Sequence, residues 1–154
     1  MSPLKKISLA LLVVLIVIQF IQPALNINGH MTQGDITKQI SVPSDVQSIL
    51  KASCYDCHSN NTKYPWYANI QPMGWILAKH IKEGKADLNF DDFGNYITRR
   101  QSSKLKAIAN SVKDGSMPLS SYTLMHSDAK LDDNEKQRII DWTLEAKDSL
   151  EAQQ

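Results

Sequence analysis

Apolar residues fall along this chain in three patterns. The first is a continuous run from Ile7 to Ile21, broken only by Ser8 and Gln19 and preceded by Lys5-Lys6. Leu4 to Ile21 is 18 residues, roughly 27 Å of helix, at the short end for a bilayer span. A basic pair before such a run has the form of an export signal. No A-x-A site follows, and no cysteine sits at the end of the run to take a lipid. The pattern predicts a transmembrane signal anchor over residues 1–22, with the lysines cytoplasmic and the remainder on the periplasmic side. Cleavage after Ala24, giving a secreted form, is the alternative.

The second pattern has no period. Residues 23–43 mix Pro, Gly, Asn, Gln and Thr and are expected to be a linker. From residue 44 onward the period is helical. Ser44 is the expected N-cap of a helix carrying Val46, Ile49, Leu50 and Ser53 on one face. Met73 to Lys82 reads as a short helix with Trp75, Ile76, Lys79 and His80 near one another, ending at Gly84. Leu88 to Phe93 is expected to turn. A longer helix is predicted from about Tyr96 to Lys113, burying Ile97, Leu105, Ile108, Ala109 and Val112 and stopped by Asp114-Gly115. Asp132, with Glu135 three residues on, announces a final helix through a capping box. Its stripe is Ile139, Trp142, Thr143, Ala146 and Leu150. With no alternating strand pattern, the prediction is an all-α domain over residues 44–150.

Charge adds little to this picture. The 17 basic and 16 acidic residues leave a net +1, which predicts no nucleic-acid partner. Aromatics are only 7% of the chain, so a large apolar group at the centre would supply surface that side chains otherwise provide.

Both cysteines lie in Cys54-Tyr55-Asp56-Cys57-His58. C-x-x-C-H is the attachment signature of c-type haem. One backbone turn sets two sulfurs at the separation of the porphyrin vinyl groups, to which they add as thioethers, and leaves the imidazole to reach the iron. A disulfide, a thioredoxin-like redox pair or part of a zinc site are the other uses of this spacing. Thioredoxin-like sites adjoin a βαβ unit that is missing from the pattern here, and zinc needs further ligands. One covalent haem c is therefore predicted, with Cys54 and Cys57 as attachment points and His58 as proximal ligand.

The order of helix, C-x-x-C-H, loop, helices, Met-Pro loop and closing helix resembles class I cytochromes c. More closely, the chain resembles the small bacterial haem-binding domain family, through Cys54 to Asn60, Thr62, Tyr64-Pro65-Trp66-Tyr67, Ile70, Pro72 and Trp75. Further matches are His80-Ile81, Gly84-Lys85, Leu88-Asn89-Phe90, Met117-Pro118 and Asp141-Trp142. The resemblance implies a covalent haem in an exported, often membrane-anchored domain.

It also frames the distal side. Met117, on the braced loop Asp114-Gly115-Ser116-Met117-Pro118, is the expected sixth ligand, presented as class I cytochromes present theirs. His80 is the rival. His30 and His126 are expected on the linker and surface, and Met31, Met73 and Met125 lack the Met-Pro context. Tyr64, Trp66, Tyr67 and Trp75 are expected to wall the haem, with Trp66 or Tyr67 bonding a propionate. The Pro72 carbonyl is expected to accept the His58 Nδ1–H. Arg99-Arg100 are candidates for propionate neutralisation, though a solvated helix face suits them better. The expected function is outer-sphere electron transfer with a redox protein partner. A haem sensor or small peroxidase-like enzyme with a labile distal ligand is the alternative.

Overall fold

The computed structural model describes residues 2–28 and 32–152. His30 and Met31 lie outside the described residues. The chain is all-helical, and among the described residues the one element of β pairing is an isolated bridge between Ile27 and Asn61.

Helix α1 covers Pro3–Ile18, with the Ser2 hydroxyl accepting from the Lys5 amide. It buries none of its side chains. It stops three residues before the end of the apolar run, because Gln19, Phe20 and Ile21 tighten into successive turns that bond back three residues. Among the described residues no helix is long and apolar enough to cross a membrane, so the expected span of 18 residues is not formed.

The expected linker is partly built into the domain. Asp35 caps a short helix α2, Ile36–Gln39, by accepting from the Thr37 amide at 2.8 Å. Ile36 is fully buried, and the Trp142 indole donates to the Ser41 carbonyl at 2.9 Å. Ile40 and Val42 of the same stretch pack against the core that Ile36 enters.

Helix α3, Ser44–Ser53, starts one residue earlier than expected: Pro43 occupies the cap position and Ser44 is the first helical residue. Val46 and Leu50 are buried. The chain then breaks at Cys54 and winds the single turn α4, Tyr55–His58. Helix α5 runs Met73–Asp87, straight through Gly84. That glycine is no stop signal. A Cβ there would lie 2.8 Å from the Cys57 carbonyl oxygen, so glycine is what lets α5 approach the motif.

A 3₁₀ turn over Phe90–Asn95 precedes α6, Thr98–Lys113. Ile97, expected in the core, is 73% exposed at the cap position. Gly115, at φ 75°, ends α6 in the left-handed region open to glycine. A short α7, Ser120–Thr123, leads to α8, Asp133–Glu151, which opens with the Asp132–Glu135 capping box. All five stripe residues of α8 are buried.

Two apolar clusters result. The larger joins Ile36, Val46, Leu50, Phe90, Phe93, Leu105 and Ile139, with Cys54 and Tyr55 against it. The smaller joins Tyr67, Ala68, Leu77 and Ile81, with Cys57 and Tyr64 against it. The cysteine turn therefore sits at the seam between them.

Candidate functional site

The α4 turn is held rigidly from several sides. Backbone bonds from Cys57 and His58 return to the Cys54 carbonyl at 3.2 and 3.0 Å. Asp56, between the cysteines, accepts from the Lys63 amide at 2.9 Å and from the Tyr122 hydroxyl at 2.5 Å. Its own carbonyl takes the Thr62 hydroxyl at 2.6 Å. Tyr55 stacks on Phe90 with ring centroids 4.8 Å apart, and His58 meets the same ring edge-on at 6.2 Å.

His58 Nδ1 lies 3.0 Å from the Leu88 carbonyl. A carbonyl can only accept, so Nδ1 carries a proton, and in the neutral ring the Nε2 lone pair is left for another partner. The bond expected from the Pro72 carbonyl is thus made by Leu88, at the C-terminal end of α5. Pro72 sits at the opposite end of that helix.

Two adjoining cavities, of about 80 and 280 Å³, open beside this turn. Cys54, His58, Met117 and Pro118 border both. The first is closed mainly by apolar groups, including Leu88, Phe90, Ile108 and Val112. The second adds Cys57, His80 and Tyr122. The structure thus brings the proximal motif, the Met-Pro loop and His80 to one space.

The four aromatics predicted as a wall border neither cavity. Tyr64 packs behind α5, where its hydroxyl accepts from the Asn26 amide at 2.7 Å. Tyr67 is buried in the smaller cluster and meets Trp66 edge-on, while Trp66 itself is 74% exposed. The Trp75 indole donates to the Ile21 carbonyl at 2.8 Å. None of these residues, nor Pro72, borders either cavity. Tyr67 and Tyr64 belong to the cluster against which Cys57 packs, and Trp75 lies in the first turn of α5. Leu88, Phe90, Ile108 and Val112 line the first cavity, and in the sequence each looks like ordinary core.

Cationic residues are redistributed in the same way. Arg100 lies over the Tyr96 ring at 4.6 Å, and Arg99 lines a surface hollow with Lys106 and Glu151. The cation at the cavity is Lys104, paired with Asp87 at 2.8 Å. His126 stacks on Tyr122 with centroids 4.0 Å apart, an environment the sequence did not suggest.

Both cysteines are free thiols. Burial, reinforced by the neighbouring Cys57, pushes the Cys54 thiol up to about 12. Burial and then Asp56 push Cys57 up to about 11. A redox-active C-x-x-C pair needs a thiol shifted downward, so the local field opposes thioredoxin-like chemistry. Among the described residues no group of three or more His, Cys, Asp or Glu is arranged to hold a metal ion, as a structural zinc site would require.

The haem-binding domain family matches the chain over residues 13–145. The chain belongs to that family. No curated protein and no solved structure matches it. The residues present fit the group this haem-binding domain is named for. The donor set is an imidazole with its Nε2 lone pair free, and the cavity around it is mostly apolar. Two unpaired thiols stand at its edge, and a thioether and a second imidazole border the same space.

Proposed function

We propose that this haem-binding domain is a mono-haem c-type cytochrome, attached to the bacterial inner membrane on its periplasmic side and passing electrons to a redox protein. The observation that carries the reading is the meeting of Cys54, Cys57 and His58 with Met117-Pro118 around one cavity. Cys54 and Cys57 hold the haem covalently, and His58 is the proximal ligand. The Leu88 carbonyl fixes the ring's tautomer and orientation and raises its basicity. Met117 is the distal ligand, carried on a loop tied back through its amide to the Ser111 carbonyl at 3.1 Å. A bound haem supplies a one-electron iron couple, and histidine–methionine ligation raises its potential.

The order of elements supports a class I cytochrome c-like arrangement. Helix α3, entering the motif, is bound to the closing helix α8 by an Arg138 Nε–Asp45 bond of 2.8 Å. Attachment to the membrane rests on α1, whose apolar side chains are exposed all round behind Lys5-Lys6. His80 borders the same cavity as Met117, and this favours bis-histidine ligation as the second reading. A distal position that opens easily would instead suit a sensor or peroxidase-like enzyme.

Spectroscopy of protein matured with a c-haem system tests the proposal. Haem-peroxidase staining should survive a denaturing gel, and Cys54→Ala with Cys57→Ala should abolish it. The ferric protein should be low-spin, with the deep-red band of sulfur–iron bonding. Met117→Ala should remove that band, lower the potential and admit carbon monoxide, while His80→Ala leaves the band intact. The opposite pattern assigns a bis-histidine iron. An unstained wild-type band overturns the covalent haem, and a high-spin wild type that binds carbon monoxide readily overturns the electron carrier.

A further inference from the structure

Helix α1 is joined to the domain without slack. Gln19 donates to the Gln71 carbonyl at 3.1 Å and accepts from the Gln71 amide at 2.9 Å. Gln22 donates to the Asn69 carbonyl at 3.2 Å and accepts from the Gln71 side chain at 2.9 Å. The Trp75 indole bonds the Ile21 carbonyl between them. The 16 residues of α1 make roughly 24 Å of helix, against a hydrocarbon core of about 30 Å. A helix this short, clamped directly to its domain, cannot hold that domain away from the bilayer it enters.

The surface at the clamp suits such contact. From Tyr64 to Ala78 there is no charged residue, in a chain that is 21% charged, and Lys63 and Lys79 bound the stretch. Trp66 is 74% exposed, Ile70 47%, Met73 41% and Ile76 46%. Phe20, between the clamping Gln19 and Gln22, is 83% exposed. Met73 and Ile76 stand three apart on α5 and so share a face. Tryptophan and flanking lysines are the side chains that settle at a lipid–water boundary.

We propose that the Trp66–Ile76 rim is a lipid-contact surface, seated in the interfacial layer of the same membrane that α1 enters. This rests on the membrane attachment proposed above and adds an orientation to it. The aromatic loop that the sequence offers as a haem wall thus becomes the membrane face of the domain, and the redox partner approaches elsewhere.

The full-length, haem-loaded protein in nanodiscs containing diazirine-bearing phospholipids tests this by photolabelling and tryptic mass mapping. Lipid adducts are expected on the peptide 7–38, which holds most of α1, and on the peptide 64–79 between Lys63 and Lys79. The α8 peptide 139–147 should carry none. Trp66→Glu with Met73→Glu changes two exposed side chains and should remove the adducts from 64–79 while those on 7–38 persist. Labelling of 7–38 alone in the wild type overturns the rim and leaves it for a protein partner. So does labelling of 64–79 that survives the double glutamate. If neither peptide is labelled, the membrane attachment fails, and the rim with it.

Discussion

Asp91 illustrates how residue chemistry departs from surface expectations. It follows Phe90 in a turn that reads as solvated, yet, like the 1% exposed Asp35, it is enclosed, with only 3% of its surface exposed. Its Oδ2 accepts from the Asn60 amide at 2.6 Å. Burial pushes its carboxyl above the usual range; the Asn60 bond opposes this, and the neighbouring Asp35 adds to it. A carboxyl whose folded pKa is raised contributes stability that is present below its unfolded pKa of about 3.9 and is lost as pH rises through the folded value. Asp91→Asn keeps an acceptor for the Asn60 amide and removes the ionisation. The variant should match or exceed wild-type stability at pH 7, and its advantage should shrink on acidification to pH 4. Urea denaturation at the two pH values measures this, and a variant less stable than wild type at neutral pH would show the charge to be favourable.

At the scale of elements, the decisive event is the approach of α5 to the cysteine turn. Gly84→Ala places a methyl group 2.8 Å from the Cys57 carbonyl oxygen, a backbone atom that cannot swing aside. The expected cost is about 1–3 kcal/mol, as for other overpacked sites. Thermal denaturation and the yield of haem-stained protein should both fall. Lys79→Ala, on the exposed side of the same helix, should change stability by less than about 0.5 kcal/mol. Equal effects from the two would mean that α5 and α4 are not in close contact.

Across the whole molecule, the N-terminal third has more than one role. Ile36 belongs to the main core, with Ile40 and Val42 packed against it, and Ser41 receives the Trp142 indole. A chain starting at residue 44 should therefore be less stable than one starting at residue 23. The difference should be at least about 2–5 kcal/mol, the usual cost of emptying one large apolar core position. Denaturant titration of the two chains measures it. If residues 23–43 were only a linker, the two would unfold together.

Local sequence determined what is local in physics. The C-x-x-C-H spacing, the Asp132–Glu135 box, the stop at Asp114-Gly115 and the α8 stripe depend on neighbours within one or two turns, and they appear where the pattern placed them. Helical periodicity likewise specified an all-α domain, since period and burial are read from the same residues. Tertiary structure decided which neighbours meet. It left the aromatics of the Tyr64–Trp75 stretch off the borders of both cavities and lined the first with Leu88, Phe90, Ile108 and Val112. It chose Leu88 over Pro72 for His58 and gave Gly84 a packing role in place of a helix end. Those outcomes depend on contacts between residues tens of positions apart, and a hydrophobic side chain carries no mark of which distant partner it will face.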